Sequence, residues 1–203
     1  MPLDLGPWAW AWLAALALAA AFARGYAGFG FAAVLMAGAA LATEPVALVP
    51  AILLCDLALT LPQIPSIRGQ VEWRRAGWLL AGAALGIPAG VWLFARLSPD
   101  AGRAAVAGWV LLMCLALRLG WRLRGPQGAG PHLAVGAVSG LANGAAVGGL
   151  PVAAFFAAQA LPAARMRGTM VAYFAALDAG TLAVLSARGA VGAADLRLAA
   201  LGL

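Results

Sequence analysis

The chain has 203 residues, of which 65% are hydrophobic and only 10% charged, and its formal net charge is +6. This composition excludes a soluble globular domain, which needs much more polar surface, and indicates a single integral membrane domain at residues 1–203. Every basic residue is an arginine, and most of them lie in short loops between apolar runs. That placement is typical of membrane topology signals, so we expect a lipid bilayer and no nucleic acid as partner.

The first apolar region is split by a glycine cluster. Residues 8–23 and 26–42 are apolar, and the cluster reads Arg24-Gly25-Tyr26-Ala27-Gly28-Phe29-Gly30. Each apolar piece is shorter than the about 20 residues that a spanning helix needs. Backbone left without partners at membrane depth is tolerated only against protein or a water-filled cavity. We therefore predict a glycine-broken or re-entrant segment here.

Three full spans are predicted next, at residues 45–64, 76–95 and 104–119, the last of them somewhat short. Loops at residues 65–75, 96–103 and 118–131 separate them, with proline and glycine at the turns. The segment from Gly125 to Pro131 is predicted to join two halves, residues 1–124 and 131–203.

A second glycine cluster, from Ser139 to Pro151, splits the apolar residues 132–161. Gly148-Gly149 followed by Pro151 disfavours an unbroken helix. Gly140, Gly144 and Gly148 also have the four-residue spacing of close helix packing in membranes, which is the alternative explanation. A loop at residues 162–167, a span at residues 168–187 and an apolar run from residue 196 complete the chain.

The arginines indicate on which side of the membrane each loop lies. The positive-inside rule places Arg68, Arg74 and Arg75 in the cytoplasm, and it places Arg165 and Arg167 there if residues 132–161 form a hairpin. Each half would then be a hairpin plus three spans, related to the other by inverted topology, whereas a parallel four-span repeat is the alternative. The predicted fold is an all-α polytopic helical bundle with two glycine-broken or re-entrant segments and a two-fold internal repeat.

Two acids lie near the middle of predicted spans, Asp56 and Asp178. An ionised group inside a membrane helix usually faces the bundle interior and marks a pathway or proton relay. Both acids are therefore candidates for proton coupling, and the alternative is a structural partner for an arginine or a neighbouring helix. Each acid is followed by Thr-Leu, at Thr60 and Thr181, which suggests an internal repeat.

The first cluster has the features of a small-anion site. Arg24 can hold an oxyanion bidentately. Gly25, Gly28 and Gly30 let backbone N–H groups converge, and a half-helix starting near Gly30 would point its positive end at the same place. The alternative is that Arg24 extends to the membrane interface as an orientation signal. In the second cluster, Ser139, Asn143, Gly148 and Gly149 offer neutral hydrogen bonds to the same solute; these eight residues are the predicted substrate-binding set.

An enzyme is not expected. The chain has one histidine, His132, and two separated cysteines, Cys55 and Cys114, which cannot assemble an ordinary metal site. No nucleophile with a partnered base and no phosphate-loop motif is visible, so we predict neither catalysis nor a cofactor.

The order of the motifs resembles a known family. The first-half motifs are Arg24-Gly25-Tyr26-Ala27-Gly28-Phe29-Gly30-Phe31, Glu44-Pro45 and Arg68…Trp73-Arg74; the second-half motifs are Gly140…Asn143-Gly144…Gly148-Gly149-Leu150-Pro151-Val152, Arg165-Met166-Arg167-Gly168-Thr169 and Tyr173-Phe174. Together they are similar to the TauE/SafE permeases, also called the sulfite exporter family. The resemblance covers roughly residues 15–185.

The resemblance implies a multi-pass permease of the bacterial inner membrane for small anions such as sulfite, sulfonates or thiosulfate. Relatives of this family often have paired prolines at Leu150-Pro151, and they usually continue for about two further spans. The second half is thus expected to be short, so the chain is either a compact member or pairs with another copy as a homo-oligomer. The alternative function is a non-transporting membrane subunit or scaffold whose glycines serve helix packing.

Overall fold

The computed structural model describes residues 6–120, 122, 123, 125 and 127–200. Its helices, in chain order, are α1 (Pro7–Ala27), α2 (Phe31–Ala39), α3 (Val49–Thr60), α4 (Ile64–Ile67), α5 (Trp73–Phe94), α6 (Pro99–Leu119), α7 (Ala129–Asn143), α8 (Gly149–Ala157), α9 (Ala163–Ala187) and α10 (Ala193–Ala200). Two 3-10 turns, Pro45–Leu48 and Leu61–Gln63, extend α3 in both directions and join it to α4. Of the segment predicted to join the halves, Pro126 lies outside the described residues, as do Trp121 and Arg124 just before the segment.

The protein is an all-α polytopic membrane protein, as the sequence predicts. Within the described part of the chain, five helical stretches are long and apolar enough to cross a membrane: Pro7–Ala27, Pro45–Ile67, Trp73–Phe94, Pro99–Leu119 and Ala163–Ala187. α6 is the least buried of them, with 11% of its most apolar window inside the protein. Its apolar side chains are therefore expected to face lipid, where they need no protein partner.

The first glycine cluster interrupts the helix later than predicted. α1 continues through Arg24 and Gly25 to Ala27, so at 21 residues it is long enough to cross a membrane. The prediction that both flanking pieces are too short is thus wrong for the first piece. A single glycine costs a helix only about 1 kcal/mol, which does not end it. The helix ends where the backbone turns left-handed, at Gly28 (φ 81°) and Gly30 (φ 101°), and the nine-residue α2 starts at Phe31.

At the second glycine cluster the helical structure is interrupted, since α7 ends at Asn143 and α8 begins at Gly149. Ala146, inside this break, has a φ of 53°, a value that non-glycine residues rarely adopt. α8 then runs back along α7. This direction is evident from a ring contact: His132, near the start of α7, packs edge-on against Phe155, near the end of α8, with centroids 4.9 Å apart. Pro151 fits in the first turn of α8, where its missing N–H breaks no hydrogen bond of the helix.

Two predicted loops are partly helical. α6 starts at Pro99, within the predicted loop 96–103, and the Ser98 hydroxyl caps it by accepting from the backbone N–H of Ala101. α9 starts at Ala163, so Arg165 and Arg167 belong to its first turns and not to a loop. Hydropathy locates only the apolar part of a spanning helix, whereas the polar first turns extend beyond it.

The arginines of both halves meet at one end of the bundle. Arg165 at the start of α9 forms an ion pair with Glu72 before α5, with Nη1 and Oε1 3.2 Å apart. The N–H of Leu123, after α6, donates to the carbonyl of Ala158, after α8. The chain from α7 to α8 therefore begins and ends at the same end of the bundle. By the positive-inside rule we assign this end to the cytoplasm, which stays a prediction.

α5, α7 and α9 run parallel to one another, and α5 and α7 pack through glycines. Gly82, Gly86 and Gly90 of α5 lie against the backbone of α7, and Gly136, Gly140 and Gly144 lie against the backbone of α5. Small residues at four-residue spacing allow such close approach of two membrane helices. Packing is thus confirmed for Gly140 and Gly144. Gly148 instead lies against Ser139 and Asn143 of its own half.

We predict that Gly86→Ala destabilises the protein by about 1–3 kcal/mol, the usual range for an overpacked core. The added methyl group would collide with the backbone of Ala137 and Leu141. Gly77→Ala is the matched control on the same helix, since no atom lies within 4 Å of its added carbon. Denaturant unfolding in detergent micelles measures both variants. Equal stability of the two would contradict the glycine packing.

Candidate functional site

Arg24 is buried at the centre of the first half. It lies in the last turn of α1, and only 1% of the residue is exposed. Its Nε is 2.9 Å from Oδ1 of Asp56, and its Nη2 donates to Oγ1 of Thr60 at 2.6 Å. The side chain therefore reaches into the bundle toward α3. The alternative that Arg24 extends to a membrane interface is wrong.

Asn143 makes corresponding contacts in the second half. It is the last residue of α7, as Arg24 belongs to the last turn of α1. Its Nδ2 donates to Oδ1 of Asp178 at 3.1 Å and to Oγ1 of Thr181 at 2.9 Å. In each half, a polar side chain at the end of a helix thus binds one acid and the threonine one turn after that acid.

The two acids also contact each other. The carboxyl groups of Asp56 and Asp178 are within hydrogen-bonding range, and both residues are buried. A hydrogen bond between two carboxyl groups requires one of them to carry a proton. The contact joins the two halves into one polar network, which we call the central network: Thr60, Arg24, Asp56, Asp178, Asn143 and Thr181.

A cavity lies beside the central network, between the two glycine breaks. Polar groups of Arg24, Asp56, Asn143 and Asp178 line it, together with Gly30, Gly149 and apolar neighbours that include Phe29 and Phe174. Its volume is about 20 Å³, room for about one water molecule. Any anion larger than water can enter only if the surrounding elements move apart.

Some polar groups that line the cavity lack hydrogen-bond partners. Within the described residues, Oδ2 of Asp178 is buried without a hydrogen-bond partner, whereas Nε of Arg24 and Oδ1 of Asp56 have only their mutual ion pair. The N-terminal ends of α2 and α8 also open on the cavity, and neither helix has a side-chain cap. Free N–H groups at a helix start carry partial positive charge and favour anions. The arrangement thus offers one guanidinium, two helix starts and two carboxyl groups to a small solute.

Four of the eight predicted substrate-binding residues line this cavity: Arg24, Gly30, Asn143 and Gly149. In the first half, Gly25 lies in the last turn of α1, where its carbonyl accepts a 3.4 Å hydrogen bond from Nη2 of Arg167. Gly28 lies against the Arg167 side chain, and its left-handed backbone fits glycine best. Both residues therefore lie beside the cavity and not in its wall.

The other two predicted residues hold the second break in shape. The Ser139 hydroxyl donates to the Gly148 carbonyl at 2.6 Å and accepts from the Tyr173 hydroxyl at 2.9 Å. Gly148 lies so close to the backbone of Ser139 that a larger side chain would not fit. These contacts satisfy buried backbone groups that a broken helix leaves without partners.

Sequence reasoning missed three contributors to the site. The sequence indicates Thr60 and Thr181 only as parts of a repeat, although each threonine lies one turn after an acid and therefore shares a helix face with it. The sequence predicts a loop at Arg167, but its side chain lies against Gly28 at the first break, and its Nη2 donates to Oε1 of Gln63 at 3.4 Å. No group of three or more metal-binding side chains occurs within the described residues.

We predict that Arg24→Gln destabilises the fold by about 3–5 kcal/mol, the usual result of removing one partner of a buried ion pair. The double variant Arg24→Gln with Asp56→Asn should recover most of that loss, because it leaves no buried charge unpaired. Denaturant unfolding of the two single variants and the double variant gives the coupling energy. Asp100→Asn, which removes a carboxylate of an exposed ion pair, should change stability little. Additive effects of the two central substitutions would contradict a functional ion pair.

The sequence profile described as "Sulfite exporter TauE/SafE" matches residues 13–203, nearly the whole chain. The matched range includes both glycine breaks and every member of the central network. No curated protein and no solved structure was found that matches the chain.

Proposed function

The chain belongs to the TauE/SafE sulfite exporter family, and we propose that it is a secondary permease for a small sulfur-containing anion, such as sulfite, thiosulfate or a sulfonate. The family is one of membrane transporters of sulfur anions, and this protein is a multi-pass membrane protein. The bacterial inner membrane as its location, and a single permease unit made of two repeats, are parts of the same proposal.

The cavity between the two breaks is the observation that carries the proposal. It brings together a guanidinium and the N-terminal ends of α2 and α8, all of which attract an anion. Asn143 adds an amide that tolerates different oxyanions because it is neutral. Two discontinuous helices that start at a shared site near the middle of a bundle are typical of secondary transporters.

Asp56 couples the binding of the anion to the uptake of a proton. In the closed conformation it neutralises Arg24, so an arriving anion competes with the Asp56 carboxylate for the guanidinium. A proton taken up by the pair of Asp56 and Asp178 would release Arg24 and keep the buried site electrically neutral. We infer that one proton accompanies the anion, with the pair of acids as its carrier.

The size of the cavity supports alternating access. A space for one water molecule is too small for a sulfur oxyanion, so the anion does not fit in this conformation. We propose that α2 moves about Gly28 and Gly30 at the first break, and that α8 moves about residues 145–147 at the second. Opening toward one side at a time would expose Arg24 to either compartment in turn.

The main test is uptake of radiolabelled sulfite, thiosulfate and sulfonates by proteoliposomes. We predict that the Arg24→Gln, Asp56→Asn double variant remains folded and loses transport by about tenfold or more, as expected from a lost charge-assisted hydrogen bond. The matched control is Arg103→Gln with Asp100→Asn, which removes an exposed ion pair of the same charge. Normal uptake by the folded double variant would remove Arg24 from the anion site.

A second experiment tests whether anion uptake is coupled to proton movement. Asp178→Asn keeps the volume and the acceptor for Asn143 but removes one of the two proton carriers, so we predict that the response of uptake to an imposed pH difference becomes weaker. Downhill anion flux should persist in this variant. Asp195→Asn, in the exposed first turn of α10, is the control. If Asp178→Asn and Asp56→Asn both keep the wild-type response to the pH difference, proton coupling is wrong.

A scaffold without transport is the second candidate, and the glycine packing of α5 against α7 favours it. Gly30 and Gly149 distinguish the two, because both line the cavity and neither packs on a neighbouring backbone. Cysteines placed at these positions should react with a water-soluble thiol reagent in a permease. Protection of both, together with absent flux, would favour the scaffold.

A further inference from the structure

A row of polar side chains leads from the cavity toward the end of the bundle where the arginines of both halves meet, which we call the arginine-rich end. The row lies on α3, on the 3-10 turn that follows it and on α4, and it consists of Asp56, Thr60, Gln63 and Ser66. Residues three or four positions apart share one face of a helix, so these side chains follow one another along a line. Asp56 lines the cavity, whereas Ser66 is exposed. We call this row the polar stripe.

Two arginines contact the polar stripe at different depths. Arg24 binds its two inner members, as described above. Arg167, in the first turns of α9, binds its two outer members: Nη1 donates to Oγ of Ser66 and Nη2 donates to Oε1 of Gln63, both at 3.4 Å. The two guanidinium groups therefore follow one another along the same helix face, and Arg167 is the one nearer to the arginine-rich end.

Arg167 is partly buried and lacks a negative partner. Within the described residues, the other arginines that are not exposed each pair with a carboxylate, namely Arg24 with Asp56, Arg75 with Glu72 and Arg103 with Asp100. Arg167 instead contacts only neutral oxygens at 3.4 Å, beyond the roughly 3.2 Å at which N–H···O hydrogen bonds usually end. Because a charge withdrawn from water without a counter-charge is unfavourable, this guanidinium favours an anion.

The neutral partners of Arg167 can be exchanged for an anion. The Ser66 hydroxyl donates to the Gln63 carbonyl at 2.7 Å, and Nε2 of Gln63 donates to the Leu59 carbonyl at 2.9 Å. Both side chains therefore keep their donors satisfied when Arg167 turns away. An anionic oxygen forms a shorter and stronger hydrogen bond with a guanidinium than these neutral oxygens do. The exchange thus favours the anion.

Arg167 also lies directly beside the first break. A carbon added to Gly28 would meet Cγ of Arg167 at 2.9 Å, and the Gly25 carbonyl accepts from Nη2 at 3.4 Å. The two residues after Gly28 line the cavity. Along α9, Arg167 precedes the cavity-lining Phe174 by two helical turns, about 10 Å. Its side chain therefore lies between the arginine-rich end and the part of the cavity wall that the first break forms.

We propose that Arg167 is a second anion-binding residue, which a sulfur oxyanion contacts between the arginine-rich end and Arg24. The inference rests on the proposed function, because it places this side chain on the path of the same solute. The anion takes the guanidinium away from Gly25, Gln63 and Ser66. The side chain then no longer ties α9 to the first break, so binding at this outer site also frees the break to move.

The test measures the concentration of sulfite or thiosulfate that gives half-maximal uptake by proteoliposomes, and thermal unfolding verifies that each variant folds. We expect Arg167→Gln to raise this concentration by about tenfold, as one lost hydrogen bond to a charged group predicts. Arg165→Gln is the matched control, since it removes the same charge from the same turns of α9. It should keep the wild-type value. Equal effects of the two substitutions would overturn the proposal, because surface charge would then explain both.

Gln63→Glu separates anion binding from a merely structural role of Arg167. The introduced carboxylate keeps the contact with the guanidinium but competes with the arriving anion, as Asp56 does at Arg24. We expect the half-maximal concentration to rise by about fivefold, the effect of a partly exposed ion pair, while the unfolding midpoint does not fall. Gln159→Glu, which places a carboxylate beside Arg75, is the control and should keep the wild-type value.

The outcomes distinguish the second site from the proposed function. A structural contact would be strengthened by Gln63→Glu, so a more stable protein with unchanged half-maximal uptake would overturn the second site and leave the permease standing. This variant decides the question even if Arg167→Gln fails to fold. Absence of uptake by the wild-type protein for every probe anion would overturn the proposed function, and the second site with it.

Discussion

The buried ion pair of Arg24 and Asp56 is the interaction on which the centre of this protein depends. Both residues are almost fully buried, and neither could stay ionised alone at that depth without a penalty of several kcal/mol. The pair therefore fixes where the end of α1 meets α3. Its contact with Asp178 extends the same constraint to the second half. One electrostatic requirement thus positions both glycine breaks around a common cavity.

Glycine has two different tasks in this chain. On α5 and α7 it brings two parallel helices into backbone contact, which forms a rigid unit without polar side chains. At Gly28 and Gly30 it allows a left-handed backbone that ends one helix and starts another. The rigid pair and the broken helices lie side by side, since α7 contributes to both.

Sequence reasoning identified much of the candidate site but not its connections. It selected Arg24, Asp56, Asn143 and Asp178 because polar side chains are rare in membrane helices and usually have a function. It treated anion binding by Arg24 and proton coupling by Asp56 as separate roles. Because of their 2.9 Å contact, a bound anion would, under the proposed function, compete with the Asp56 carboxylate for one guanidinium. The contact joins residues 32 positions apart on different helices, and no local pattern encodes such a distance.

Composition and hydropathy alone determined that the protein crosses a membrane as a bundle of helices, because each span must satisfy its own backbone hydrogen bonds in lipid. Glycine and proline spacing also located both interruptions to within a few residues. Only the tertiary structure decided that α1 continues past Gly25, that Ser139 and Gly148 hold the second break in shape, and that the two acids meet. The reason is physical: local spacing fixes the conformation of a helix, whereas buried charges choose their partners from whatever the packing of distant helices brings within reach.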